Sequence, residues 1–431
     1  MTAVQRLFAL EQFGIKLGLD NIRAILAALG NPERAWRSIH IAGTNGKGSV
    51  AAMVECGLGA GGLKTGRYTS PHLDRIEERV AINGAPVDAA TFEAVTADVF
   101  DVIDRLADGR VPGHSLGAGR PTFFEVSTAV AFEIFKREAV DVAVVEVGLG
   151  GRFDATNVLT PTISAITSIA FDHERHLGET LSDIAFEKAG IAKRGVPLIV
   201  GRLPAEAASR ISEVARDVEA PLLDAHAGTT DRKYPPLTLS LPGRHQLENA
   251  AVAVAILERW SKMVHHLSTE AIVAGLTRCE WPARLEWLHI PSANGDVLID
   301  AAHNPAGAAA LASYLQDTGS KPLPIVFAAM ADKDLTNMIG ALAPVASCFI
   351  ATTVPHSRAR SADALAADIR QLTSLPVDAV ASPEAAVARA LALPAHRSPG
   401  EGGVKRAVAC GSIYMIGPLR ARLIEAGATR S

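Results

Sequence analysis

The sequence predicts an α/β protein of two domains, each organised on a parallel-rich sheet with helices on its faces. Three observations carry that expectation. Short, almost uninterrupted apolar runs recur along the chain, such as 38–42 (Ser-Ile-His-Ile-Ala) and 141–147 (Asp-Val-Ala-Val-Val-Glu-Val). Such runs suit strands buried on both faces. Longer stretches of helical pattern separate them. The alternation breaks where Pro235, Pro236, Pro242 and Gly243 cluster and again at Trp281-Pro282-Ala283, and then resumes.

In chain order, the first set of strands is expected at 38–42, 141–147, 162–169 and 196–200. Helices are expected at 47–60, 88–107, 122–137 and 180–193, with Asp88 as an N-cap. A helix over 245–260 follows the proline cluster. Proline disfavours helix at the residue before it, so Trp281-Pro282 marks a boundary. The domains are therefore 1–283 and a smaller 284–431. Strands near 297–300, 324–329, 347–352, 376–380 and 405–410 make the second sheet. No internal repeat is visible.

Composition limits the function. The chain has 431 residues, 48% hydrophobic and 20% charged, as in soluble globular proteins. Lys plus Arg is 42 against 46 Asp plus Glu, a net charge of −4. That excludes a broadly basic nucleic-acid binder and a polybasic membrane-surface protein. Aromatics at 5% argue against a stacking platform for single strands. Cys56, Cys279, Cys348 and Cys410 form no CxxC pair, so no zinc knuckle or dithiol motif is written. Arg6, Glu11 and Lys16 interrupt any signal-peptide core. The longest charge-free stretch, 335–357, contains Asn337, Pro344 and Pro355 and reads as helix then strand. A cytoplasmic monomer without nucleic-acid or membrane partners is expected.

The most informative segment is Gly43-Thr44-Asn45-Gly46-Lys47-Gly48-Ser49. An apolar strand enters it and a helical pattern leaves it. Glycines let backbone N–H groups approach phosphate, and the helix N-terminus favours negative charge. Lys47 would neutralise β/γ-phosphates, and Ser49 would bond phosphate or metal. A standard P-loop would place its first glycine at position 41, which is Ile, and Ser or Thr at 48, which is Gly. The nearby Gly148-Leu149-Gly150 is no dinucleotide fingerprint, because position 153 is Phe. His173-Glu174-Arg175-His176 is not HExxH. Lys333 between two aspartates and His265-His266 read as solvated surface.

This loop resembles the variant phosphate loop of the Mur ligase superfamily, and most closely that of folylpolyglutamate and dihydrofolate synthases. Further segments carry the same resemblance. They are Tyr68-Thr69-Ser70-Pro71-His72-Leu73 with Glu78-Arg79-Val80, and Glu146-Val147-Gly148-Leu149-Gly150-Gly151-Arg152 with Asp154-Ala155-Thr156-Asn157. Asp172-His173, Glu187-Lys188-Ala189-Gly190-Ile191, Gly243-Arg244-His245-Gln246 with Asn249, Trp281-Pro282 with Arg284-Leu285-Glu286, and His303-Asn304-Pro305 follow. Weaker echoes stand at Met330–Asp334 and Gly411-Ser412. Ala283 and Ala301 depart from it, standing where glycine is usual. The implied fold is an N-terminal P-loop Mur-ligase-type ATPase domain plus a C-terminal Rossmann-like α/β domain.

Glu146 ends an expected strand at the carboxyl edge of a parallel sheet, where ligands of open α/β sheets bind. A carboxylate there suits Mg²⁺, which takes few protein ligands. The resemblance implies that Ser70, Glu146 and His173 form a magnesium site, with two ions. It implies that Lys188 is carbamylated. It also implies that Asn249, Arg284 and Asp300 touch ATP, that His303 is required, and that the site lies in an interdomain cleft. Three segments look like a pterin site: Lys16-Leu17-Gly18-Leu19, Thr122-Phe123-Phe124-Glu125 and Phe153-Asp154-Ala155. The implied activity is an ATP-dependent ligase. It would add L-glutamate to dihydropteroate and to reduced folates through an acyl phosphate.

Overall fold

The computed structural model describes residues 1–14, 18–117, 119–227, 234, 237–354, 356, 359–393 and 405–430. The apolar runs do become strands, and they assemble into two separate sheets. One compact unit comprises Met1–Ser240 with Leu247–Glu280, the other Leu241–Gln246 with Trp281–Ser431.

The first sheet contains β1 (Arg37–Ala42), β2 (Thr65–Tyr68), β3 (Val80–Ile82), β4 (Ala85–Pro86), β5 (Val142–Glu146), β6 (Ile163–Ile166), β7 (Leu198–Val200) and β8 (Leu222–Asp224). Their order is β4-β3-β2-β5-β1-β6-β7-β8. From β2 to β8 all pairs are parallel, while β2–β3 and β3–β4 are antiparallel. The sheet is therefore mixed at one margin, where the sequence pattern showed no strand. These margin strands are too short, three residues and two, for an apolar run to mark them. β1 lies between β5 and β6, and Ile39, Ile41 and Ala42 are fully buried. One face packs on Trp36, Tyr68, Phe92, Phe132 and Phe135. Ile166, Ile184, Leu198 and Ile211 form a separate cluster.

The helix Lys47–Ala60 starts immediately beyond β1 and is buried along most of its length. The helix Thr269–Thr277 packs closely against it through a glycine. A Cβ on Gly275, in the helix Thr269–Thr277, would lie 2.6 Å from the Met53 carbonyl oxygen.

The second sheet contains β9 (Glu286–Ile290), β10 (Gly295–Ile299), β11 (Leu323–Phe327), β12 (Ala346–Ala351), β13 (Val377–Ala379), β14 (Lys405–Cys410) and β15 (Thr429–Arg430). Its order is β13-β12-β11-β14-β10-β9-β15, with β9 antiparallel to both neighbours and the rest parallel. Leu298, Ile325, Phe327, Met338, Phe349 and Val408 lie in its core.

Three expectations need correction. The strand expected over 162–169 stops at Ile166, because Thr167 and Ser168 turn out of the sheet to bind another loop. The helix expected over 180–193 ends at Ala189, where Gly190 caps it. Leu241–Gln246, assigned to the first domain, packs with the second unit. There Arg244 pairs with Asp317 at 2.8 Å, and Gly243 lies against Leu285. Among the described residues, no helix is long and apolar enough to cross a membrane.

Candidate active site

The site begins where β1 delivers the glycine-rich loop to the carboxyl edge of the first sheet. Gly43 has φ +148°, and a Cβ there would lie 2.0 Å from Thr167 Oγ1. Gly46 has φ +85° and precedes the helix; a Cβ there would lie 2.1 Å from Asn249 Oδ1. Only glycine satisfies both the backbone and the space. Asn249, distant in sequence, is thus brought against the glycine-rich loop.

The loop is held from β6. The Thr167 hydroxyl donates to the Asn45 carbonyl at 2.6 Å, and the Ser168 hydroxyl donates to it at 3.0 Å. The Thr44 N–H donates to the Ser168 carbonyl at 2.8 Å. Thr44 Oγ1 accepts from the Ala170 N–H at 3.1 Å. Sequence reasoning missed Thr167 and Ser168 because it read them as strand. Their signal was a pair of hydroxyls at the end of an apolar run.

Two lysines converge on one carbonyl. Lys47 Nζ donates to Gly43 O at 3.1 Å and to Thr44 O at 3.2 Å. Lys188 Nζ donates to the same Gly43 oxygen at 3.0 Å. Lys188 is 5% exposed. Burial first, and the Lys47 charge second, push its pKa down to about 7, against the pull of Asp172 and Asp154. The helix Leu181–Ala189 presents it inward, with Ile184 and Ala185 in the core.

Glu146, at the end of β5, is buried beside Lys47, with Oε1 at 3.8 Å from Nζ. Its Oε2 accepts from the Ser70 N–H at 3.2 Å. His173 has φ +53° and a partly exposed ring, with Nε2 3.9 Å from Asp172 Oδ1. Among the described residues no cluster of three His, Cys, Asp or Glu side chains could cage a metal. The groups the sequence points to, Ser70, Glu146 and His173, would offer a hydroxyl, a buried carboxylate and an imidazole. That suits a hard divalent ion such as Mg²⁺, bound through few protein groups and completed by phosphate and water.

The expected pterin segments divide by what the structure does with them. Thr122 and Glu125 form a reciprocal capping box on the helix Phe123–Arg137, so both side chains have a structural partner. Phe124 stacks near Tyr68 and fills the space beside Gly148. Phe123 packs near Phe8, with the Arg79 guanidinium over its ring. Asp154 is buried and accepts from the Leu149 N–H at 2.8 Å and the Thr156 N–H at 3.0 Å. Burial pushes its carboxyl pKa up, and these bonds oppose the shift. It ties down its own loop, with Ala155 buried behind it, whereas Phe153 is exposed under the Arg152 guanidinium. Gly18 and Leu19 precede the helix Asp20–Ala28, and Lys16 and Leu17 lie outside the described residues.

In the second unit, Arg284, Asp300 and His303 gather around β9 and β10. The Asp300 carboxylate accepts from the Leu285 N–H at 2.9 Å and the Ala302 N–H at 2.8 Å. Burial pushes its pKa up, while Arg284 and His245 oppose that. His303 Nδ1 is 2.9 Å from the Ala301 carbonyl oxygen. Ala283 has φ +57°, a conformation that glycine adopts without strain. Ser412, at the start of the helix Ile413–Glu425, is 2% exposed, and among the described residues its hydroxyl has no hydrogen-bond partner.

Comparisons with known proteins identify the family. A family model described as the Mur ligase glutamate ligase domain matches residues 283–399. The chain is 36% identical over 358 residues to dihydrofolate synthase/folylpolyglutamate synthase of Bacillus subtilis, covering 78% of this chain and 80% of that protein. Its fold matches Mycobacterium tuberculosis folylpolyglutamate synthase, solved with ADP and AMPPCP, with TM-score 0.87 and 32% identity. That match covers 100% of this chain and 99% of the other. A bifunctional folylpolyglutamate synthase/dihydrofolate synthase bound to Mn, AMPPNP and L-glutamate matches at TM-score 0.81 and 30% identity, over 98% of both chains. Identity at this level across most of both chains, together with the glycine-rich loop seen here, makes this chain a member of the dihydrofolate synthase/folylpolyglutamate synthase family of Mur ligases.

Proposed function

We propose that this chain is a bifunctional ATP-dependent ligase. It joins L-glutamate to dihydropteroate, giving dihydrofolate, and to reduced folates, giving folylpolyglutamates. The observation that carries the reading is the convergence of Lys47, Lys188 and Glu146 on the Gly43–Ser49 loop.

A carboxylate does not react with an amine directly, because oxide is a poor leaving group. Transfer of the γ-phosphoryl group from ATP gives an acyl phosphate and ADP. The glutamate amine then attacks the acyl carbon, and the tetrahedral intermediate expels phosphate to leave an amide. The protein's work is positioning and charge neutralisation. Backbone N–H groups of the Gly43–Ser49 loop and the Lys47 ammonium hold the β- and γ-phosphates. Asn249, against Gly46, and Arg284 with Asp300 in the second unit contact the nucleotide. His303 stands beside Asp300 as a group required for turnover.

Ser70, Glu146 and His173 would hold Mg²⁺, which when bound would supply positive charge to the phosphates; a second ion is part of the reading. Lys188 is carbamylated: its neutral amine adds to CO₂, forming an N–C bond and releasing a proton. The product replaces a cation near Lys47 with an anionic oxygen donor. Phe153, exposed on the loop that Asp154 anchors, and Phe124 border the pterin. Ser412, with an unmet hydrogen bond among the described residues, receives a carboxylate of L-glutamate. The reaction requires no membrane or nucleic acid, and the enzyme acts as a cytoplasmic monomer.

The test is phosphate release with ATP, L-glutamate and a panel of acceptors. Turnover is expected with dihydropteroate and separately with tetrahydrofolate, and none with UDP-muramoyl acceptors. Turnover on the folate alone at saturating substrate withdraws the first activity. No amide product from any acceptor overturns the ligase reading.

A further inference from the structure

Arg284 stands between two residues in an uncommon conformation. Ala283 has φ +57° and Leu285 φ +51°, and neither is glycine. L-residues adopt the left-handed region only when their surroundings enforce it. Both are buried, so the turn is fixed from within.

Two carboxylates supply that enforcement. Asp300 accepts from the Leu285 N–H at 2.9 Å. Glu286 accepts from the Ala283 N–H at 2.9 Å. The remaining capacity of Glu286 is filled by Arg420, through Nε at 2.7 Å and Nη2 at 2.9 Å, and by Arg430 Nε at 2.8 Å. Burial alone would raise the pKa of Glu286; Arg420, the Ala283 N–H and Arg430 hold it below the ordinary carboxylate value. One carboxylate therefore links the turn, the helix Ile413–Glu425 and strand β15. The Ala283 carbonyl, in turn, accepts from Arg284 Nη1 at 3.0 Å and from the Ala301 N–H at 3.1 Å.

We propose that Glu286 is a positioning residue for nucleotide binding. With Asp300 it holds the Ala283–Leu285 turn in its left-handed form and so orients the Arg284 guanidinium. This rests on the reading of Arg284 as an ATP contact. Glu286 itself touches no substrate. Its effect passes through the conformation of residue 283, and a glycine there should make it dispensable.

The experiment is ADP titration calorimetry on the full chain, paired with steady-state kinetics. Glu286→Gln is expected to weaken ADP binding and raise the KM for ATP on the order of ten- to hundredfold, as for a lost charged hydrogen bond. Its kcat at saturating ATP should hold, since uniform binding is what is lost. Ala283→Gly in the same chain should restore most of the affinity, because glycine adopts positive φ without help. Glu286→Gln added to Arg284→Ala should cost nothing further. Arg430→Ala, on an edge strand, should shift affinity in the same direction by a smaller factor, which keeps the test valid if Glu286→Gln folds poorly. Wild-type affinity in Glu286→Gln overturns the proposal. So does a loss that glycine at 283 does not relieve, or one that adds fully to Arg284→Ala. If the wild-type chain binds no ADP, the ligase reading falls and the positioning role falls with it. ADP binding that is indifferent to Glu286 removes the positioning role alone.

Discussion

Lys47 and Lys188 share one carbonyl oxygen and differ in what surrounds them. Lys47 lies 3.8 Å from the Glu146 carboxylate and has two loop carbonyls, so its charge is supported before phosphate arrives. Removing one preorganised donor at a developing charge costs about 2.7–4 kcal/mol, or roughly 10²–10³ in rate. Lys47→Ala should therefore fold and lose that much kcat, measured as phosphate release; near-normal turnover would end the phosphate-loop assignment. Lys188 has burial against it and titrates near 7, compared with an ordinary 10.5. Between those values the unfolded lysine is protonated and the folded one is not. The unfolded state binds more protons, so stability rises with pH across that window, by up to about 1.4 kcal/mol per pH unit. Urea unfolding in CO₂-free buffer should show this rise from pH 7 to 9, and Lys188→Met should flatten it. For function the same neutral amine is the form that reacts with CO₂. Lys188→Ala should lose activity, and an added short carboxylate should restore part of it.

Among the elements, the helix Lys47–Ala60 does the most to place the site. It carries the glycine-rich loop at its N-terminus, and its burial makes it a rigid base. Its contact with the helix Thr269–Thr277 depends on glycine. A methyl at 275 would meet the Met53 carbonyl at 2.6 Å and the Gly57 backbone at 3.0 Å. Backbone cannot swing aside as a side chain can, so Gly275→Ala should destabilise by about 1–3 kcal/mol. Gly59, on the same helix, has open space where a methyl would stand, with nothing within 4 Å. Gly59→Ala should stabilise by roughly 0.5–1 kcal/mol through helix propensity alone. Urea midpoints of the two variants should move in opposite directions. The capping box of Thr122 and Glu125 shows the converse: two polar side chains expected to face a ligand are engaged in starting their own helix.

Across the whole molecule, each unit gathers chemistry at the carboxyl edge of its sheet. In the first unit, β5, β1 and β6 lie side by side, so Glu146, Gly43 and Thr167 emerge together. Much of this was legible in the sequence. The alternation of apolar strands with helices determined the α/β class, and the spacing of Gly43, Gly46 and Lys47 determined a glycine-rich turn into a helix. These are local properties: a strand's burial shows in consecutive residues, and a turn's backbone shows in its glycines. The short antiparallel strands β3, β4 and β15 left no such mark, and β9 drew no notice in a mixed polar and apolar run. Nor did the partners of the loop. That Thr167 and Ser168 fasten Asn45, that Asn249 fills the space above Gly46, and that Lys188 lies buried on Gly43 all depend on strand order and helix packing. Two carboxylates holding Ala283 and Leu285 at positive φ are the same kind of fact. Residue periodicity reports which face is buried, but not which distant residue is buried against it; only the tertiary structure decided that, because proximity through space is set by how the elements pack.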